Sequence, residues 1–142
     1  MLRRGKRGFT LIELMVVIAI IGILTVVGVR FYSGQVEKSR IAVVKANVGT
    51  IQFFIQAELL DSTVVEVNTY ITNVSSITSP NVYDDSGIHN PYTGEAQTAN
   101  GVAGADGTPG DVYITESGDV FSINGNDADG SGVFADPLRA SR

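Results

Sequence analysis

Glu13 is the one charged side chain in an otherwise apolar run covering residues 9–29. A carboxylate so placed can meet a cation or carry a proton. No histidine or second carboxylate stands near it in the sequence, so it is not read as a catalytic group. At ~1.5 Å of rise per residue, a helix of this length spans ~31 Å, about the hydrocarbon thickness of a bilayer. A charged side chain at the centre of such a span costs ~2.5–3.5 kcal/mol on insertion scales unless it is protonated or paired. Glu13 therefore needs a partner, or else it sits protonated or snorkels to the nearby interface.

The other residues with chemical potential are weaker candidates. Asp127, Asp129 and Gly130 fit positions three, five and six of an EF-hand-like loop, and Asp136 fits position twelve. Position one would be Gly125, which has no side-chain ligand. The alternatives are a looser calcium site of oxygen ligands and a solvated Asp/Gly turn. His89 is the single histidine and cysteine is absent, which leaves no ligand set for a transition metal and no disulfide. The scattered serines have no histidine base in a recognisable motif, and no enzyme is expected. Asn73-Val74-Ser75 fits a glycosylation sequon, a triplet that arises often by chance. Phe9, Phe31, Tyr32, Phe53 and Phe54 suit ordinary helix packing better than an electron-conducting array.

The elements that must position these residues follow from periodicity. An ordinary secretory signal has a shorter apolar core followed by a small-residue cleavage site. Here the core is too long and no Ala-x-Ala site follows it. Arg3, Arg4, Lys6 and Arg7 precede it, so the positive-inside rule keeps the N-terminus cytoplasmic. Beyond the run, Val36, Val43, Val44, Val48, Ile51, Phe54, Ile55 and Leu59 recur at helical steps. No proline occurs before Pro80, so one helix to about residue 60, ~78 Å long, is expected. Residues 62–71 are rich in β-branched side chains and suit a strand or a short helix. Residues 73–85 are polar and turn-prone, and residues 94–110 are a glycine-rich loop. Residues 111–115 and 119–123 flank Glu116-Ser117-Gly118 as a β-hairpin, about 111–124.

Charge is divided along the chain. The net charge is −5, yet residues 46–138 contain no Lys or Arg, and of 15 acidic residues only Glu13 and Glu37 precede them. Direct nucleic-acid binding is not expected of so acidic a domain. A basic cluster of Arg30, Lys38, Arg40 and Lys45 lies between the apolar run and the acidic region. It suits anionic lipid headgroups or acids on neighbouring copies.

Residues 8–24, Gly-Phe-Thr-Leu-Ile-Glu-Leu-Met-Val-Val-Ile-Ala-Ile-Ile-Gly-Ile-Leu, resemble the class III signal peptide of type IV prepilins. The resemblance covers roughly the first 30 residues, and Asn90-Pro91-Tyr92 is similar to a turn of major pseudopilins and some pilins. It implies cleavage between Gly8 and Phe9 by a prepilin peptidase, with methylation of the new Phe9 amine. It implies an α+β ladle: a long N-terminal helix packed on a small antiparallel sheet. The divisions expected are a leader over 1–8, a transmembrane and filament-core helix over 9–29, its amphipathic continuation over 30–60, and an acidic head over 61–142.

The function implied is that of a major pilin, a subunit that polymerises through its N-terminal helix after a stage as a single-pass precursor in the inner membrane, ending in a cell-surface filament. An assembly ATPase and an inner-membrane platform are the implied partners. The alternatives are a major pseudopilin of a type II secretion or competence system, and a single-pass anchored acidic binding protein. In filaments of the family the glutamate is thought to meet the N-terminal amine of a neighbouring subunit, which assigns Glu13 to assembly and register. Two departures stand out: many pilins carry a proline shortly after the membrane segment, where this chain has Arg30, and many staple their C-terminal region with a disulfide that this chain cannot form.

Overall fold

A computed structural model describes residues 8–72, 81–97 and 107–142. The expected leader residues 1–7, the Asn73 sequon and residues 98–106 of the glycine-rich loop lie outside them. The chain divides into two units, the first ending at Val36 and the second covering Glu37–Arg142. One helix, α1 (Leu11–Asp61), supplies most of the first unit and the start of the second.

In the first unit every residue from 8 to 35 is exposed. Leu11, Ile18, Ile23 and Val26 are each more than 60% exposed. A helix that is apolar all round belongs inside lipid or among other helices, not in water. The hydroxyls of Thr25 and Ser33 donate to the carbonyls of Ile21 (2.8 Å) and Val29 (3.1 Å), so neither enters that apolar surface unsatisfied.

The second unit has one hydrophobic core. After α1 come α2 (Val64–Thr72), α3 (Val82–Ser86), β1 (Val112–Ser117), β2 (Val120–Gly125) and β3 (Leu138–Ser141). The strands form an antiparallel meander in the order β1-β2-β3. Strand alternation sends Val112, Ile114, Phe121, Ile123 and Ala140 inward. The register sets Ile114 opposite Ile123 and Phe121 opposite Ala140. Val48, Ile51, Ile55 and Leu59 of α1 lie over that face, with Val67 and Ile71 of α2 beside them. The α+β arrangement, a long helix packed on a small antiparallel sheet, is therefore present.

The structure decides one open point of the sequence reading and differs from it in others. Residues 64–72 form a helix. Asn81 starts α3 within the stretch expected to turn, its side chain accepting the N–H groups of Tyr83 (2.9 Å) and Asp84 (3.1 Å). The tail holds a third strand. Val43, counted among the core periodicity, is 42% exposed and faces away from the core.

Side-chain amides fasten the C-terminal strand and the loops. The Gln52 and Gln56 amides donate to the carbonyls of Arg139 (2.8 Å) and Ser141 (3.0 Å), fastening β3 to α1. Asn90 joins the loops: its amide donates to Pro109 O (2.8 Å) and Asp111 Oδ1 (2.7 Å), while its oxygen accepts Tyr92 N–H (2.8 Å). Tyr92 then donates its hydroxyl to Glu37, and Arg40 stacks 4.9 Å above its ring. Burial, followed by the bond to Glu37, pushes the Tyr92 hydroxyl up to about 12.

Helix and sheet approach closely at Gly125. A β-carbon there would collide with Val44 Cγ1 and crowd Val48 Cγ2 at 3.2 Å. Gly125→Ala should cost about 1–3 kcal/mol through overpacking. Thermal melting of the detergent-solubilised chain, followed by circular dichroism, should show a Tm several degrees lower. An unchanged Tm would mean that α1 and β2 are not packed this closely.

Candidate functional site

The N-terminal turn carries the residues singled out by the sequence. Gly8, Phe9 and Thr10 are exposed and precede the first helical residue. The Gly8–Phe9 peptide bond thus lies outside the hydrogen-bonded ladder, and nothing crowds Gly8. A bond in that position can be drawn into an extended conformation without unwinding α1.

Thr10 and Glu13 form a reciprocal cap. Glu13 Oε2 accepts the Thr10 backbone N–H (2.8 Å) and hydroxyl (2.7 Å), while the Glu13 N–H approaches Thr10 Oγ1 at 3.4 Å. This is the capping box, in which two otherwise unpaired donors at a helix start are satisfied. Carboxylates are also favoured there by the positive end of the helix dipole. Both bonds end on one oxygen, so the other is available to an incoming cation. Phe9 and Glu13 border one shallow groove with Ile12, Val16 and Val17. Further along, Gly22 leaves a notch beside Ile18, Ile23 and Val26, a small-residue gap of the type that lets helices approach closely in apolar surroundings.

The box was not anticipated, although Thr10-Leu11-Ile12-Glu13 states it in the sequence. A second copy, Thr63-Val64-Val65-Glu66, starts α2. Glu66 Oε2 accepts the Thr63 N–H and hydroxyl, each at 2.8 Å, and the Glu66 N–H meets Thr63 Oγ1 at 3.4 Å. The backbone bond first, and the hydroxyl second, hold the Glu66 carboxyl below the usual carboxylate range.

The aspartates expected to bind calcium are placed differently. Asp127 Oδ1 accepts the N–H groups of Asp129 (3.0 Å) and Ser131 (2.9 Å), and Asp127 N–H bonds to Ser131 O (2.8 Å). The carboxylate therefore caps its own turn, while Asp129 and Asp136 are exposed. Among the described residues no three His, Cys, Asp or Glu side chains are grouped to hold a metal ion. His89 is exposed, with Nδ1 at 3.0 Å from Gly87 O. In the basic cluster, Lys45 lies 5.5 Å from the Phe134 ring centre and Lys38 is exposed.

The sequence of this site has relatives. The family model described as the prokaryotic N-terminal methylation motif matches residues 3–29. Over 56 residues the chain is 41% identical to the type IV major fimbrial protein FimA of Dichelobacter nodosus, covering 39% of this chain and 36% of that one. It is 50% identical over 42 residues to the fimbrial protein EcpC of Eikenella corrodens, covering 30% of this chain and 28% of that one. The chain thus spans about a third of the length of these curated relatives. No solved structure matches it.

Two outcomes are expected. Because the folded Glu66 carboxyl is depressed, its contribution to stability is complete above the ordinary carboxylate range and is lost as pH falls through the folded value. A ¹³C NMR titration should find Glu66 below that range and raised part of the way back in Thr63→Ala, which removes the hydroxyl bond and keeps the backbone one. A Glu66 carboxyl that titrates normally in the unaltered chain would show that the box does not form in solution. Added calcium should leave the Tm unchanged, since among the described residues no two further carboxylates are grouped with Asp127 to complete a site. A calcium-dependent rise that disappears in Asp127→Asn would reveal a cation site.

Proposed function

We propose, from the premise that the N-terminal segment is a class III signal peptide of the type IV pilin family, that this chain is the major structural subunit of a type IV pilus-like filament. The observation that carries the reading is a membrane-length apolar helix with every residue exposed, entered through a turn that holds one carboxylate. Such a helix suits two successive environments: lipid while the chain is a precursor, and the helices of other subunits once it is assembled.

The chemistry runs as follows. A prepilin peptidase cuts the exposed Gly8–Phe9 bond, and the new Phe9 amine is methylated and remains a cation. The apolar helix stays with the mature chain and anchors it in the inner membrane. On assembly, powered by an ATPase acting through a membrane platform, the Glu13 carboxylate of one subunit meets the Phe9 amine of its neighbour. Breaking a buried ion pair by removing one partner costs ~3–5 kcal/mol, although the intact pair adds little net stability. The pair therefore acts through specificity: a subunit in the wrong register leaves two charges unpaired in an apolar core. The Thr10 bonds keep Glu13 satisfied until that partner arrives.

Mass spectrometry of the mature protein should find an N-terminus at Phe9 carrying one methyl group. Glu13→Gln should be cleaved normally yet yield few or no filaments by electron microscopy. Abundant filaments from Glu13→Gln, or a mature chain retaining Met1 or Leu2, would contradict the proposal.

A further inference from the structure

The outer face of the sheet differs in charge from the rest of the second unit. Strand alternation sends Val112, Ile114, Phe121, Ile123 and Ala140 to the core. The opposite face carries Thr115 and Ser117 from β1, Val120 and Ser122 from β2, and Arg139 and Ser141 from β3. Thr115, Ser122 and Arg139 stand in one cross-strand row, and Ser117, Val120 and Ser141 in the next. Neighbours within a row are ~4.8 Å apart, and the two rows ~7 Å. None of these residues is acidic; Glu116 alternates to the core side, and Asp119 belongs to the turn between β1 and β2. Asn124 closes one end of the face, its amide donating to Phe134 O (2.9 Å) and its oxygen accepting Phe134 N–H (3.1 Å). Thr115, Ser117, Arg139 and Ser141 are exposed.

Arg139 sets the chemistry of this face. Beyond Lys45 the sequence has no Lys or Arg except Arg139 and Arg142, in a region otherwise acidic. Arg40 and Lys45 lie against the rings of Tyr92 and Phe134, whereas Arg139 is open to solvent. The Gln52 amide holds the Arg139 carbonyl (2.8 Å) and the Gln56 amide that of Ser141 (3.0 Å), so a fixed strand presents both side chains. A guanidinium offers a planar fork that matches a carboxylate, and hydroxyls both donate to and accept from sugar hydroxyls. The Thr115 hydroxyl donates to the Ser122 carbonyl (3.4 Å) and so meets a ligand as an acceptor. Val120, half-buried, is the one aliphatic side chain in the two rows, so they lack the aromatic anchor of a protein interface.

We propose that the outer face of the sheet binds an acidic polysaccharide, with a sugar carboxylate on Arg139 and sugar hydroxyls on Thr115, Ser122 and Ser141. A single contact of this size is weak. The proposal takes its strength from the filament reading, because a filament repeats the face and adds avidity. The acids elsewhere on the unit repel the same polymer and direct it to this face, which gives the acidic composition a role in specificity.

Filaments sedimented with polygalacturonate should retain it, and should retain neither its fully methyl-esterified form nor dextran. Arg139→Gln should lower the amount bound about tenfold, the loss of one charge-assisted fork. Ser122→Asp keeps Arg139 and sets a carboxylate beside it, and should lower binding as well. Lys38→Gln, a change at an exposed cation of α1, should leave binding unaltered. The detergent-solubilised chain, captured densely on beads by its N-terminus, should bind the polymer with the same dependence on Arg139. Equal retention of the esterified polymer or of polyglutamate would overturn the inference and leave the filament reading standing. Unchanged binding in Arg139→Gln, or loss of binding in Lys38→Gln, would do the same. Arg139-dependent binding on beads by a chain that forms no filaments would overturn the filament reading alone.

Discussion

The structure depends on one constraint: a carboxylate at the entrance of a helix whose first turns have no apolar partner among the described residues. Residues 8–35 are exposed throughout, so the stability of that segment must come from its surroundings. Within its apolar stretch, residues 9–29, Glu13 is the only charged side chain. Within the chain it finds Thr10 and closes the first turn. The same bonds end on one carboxylate oxygen, and in the proposed function the other meets the cation of a neighbour.

The second unit solves a different problem with ordinary means. Its core is built from α1, two short helices and three strands. Glutamines of α1 hold the C-terminal strand by its carbonyls. Gly125 lets the sheet come close enough for Val44 and Val48 to pack on it. The helix that polymerises in the proposed function is thus also the helix whose later turns organise the core of the second unit.

Much of this was legible from residue spacing. The apolar run, the long helix and the hairpin around Gly118 follow from hydropathy period and turn chemistry, and the structure has all three. Residues 64–72 were ambiguous because Val64, Val65 and Val67 suit either state. Thr63-x-x-Glu66 would have decided for helix, since only a helix start leaves the donors that this pair satisfies. The third strand was hidden because Leu138–Ser141 is short and lacks β-branched residues; pairing with β2 and the two glutamines define it. Val43 fitted a helical period but lies on the side away from the core, a distinction that one helix seen alone does not contain. The Asp-rich loop is ambiguous in the sequence because Asp and Gly serve both cation loops and self-capped turns; in the structure Asp127 Oδ1 caps its own turn.

The central claim is that the Glu13 carboxylate meets the Phe9 amine of another chain. Solid-state NMR on filaments assembled from two subunit pools tests it directly, one pool labelled with ¹⁵N at Phe9 and the other with ¹³C at the Glu13 carboxyl. The account predicts a ¹⁵N–¹³C correlation at ion-pair range, within about 4 Å, that appears only in mixed filaments. A mixed filament with no such correlation, and with the Glu13 carboxyl still bonded to Thr10 of its own chain, would contradict it.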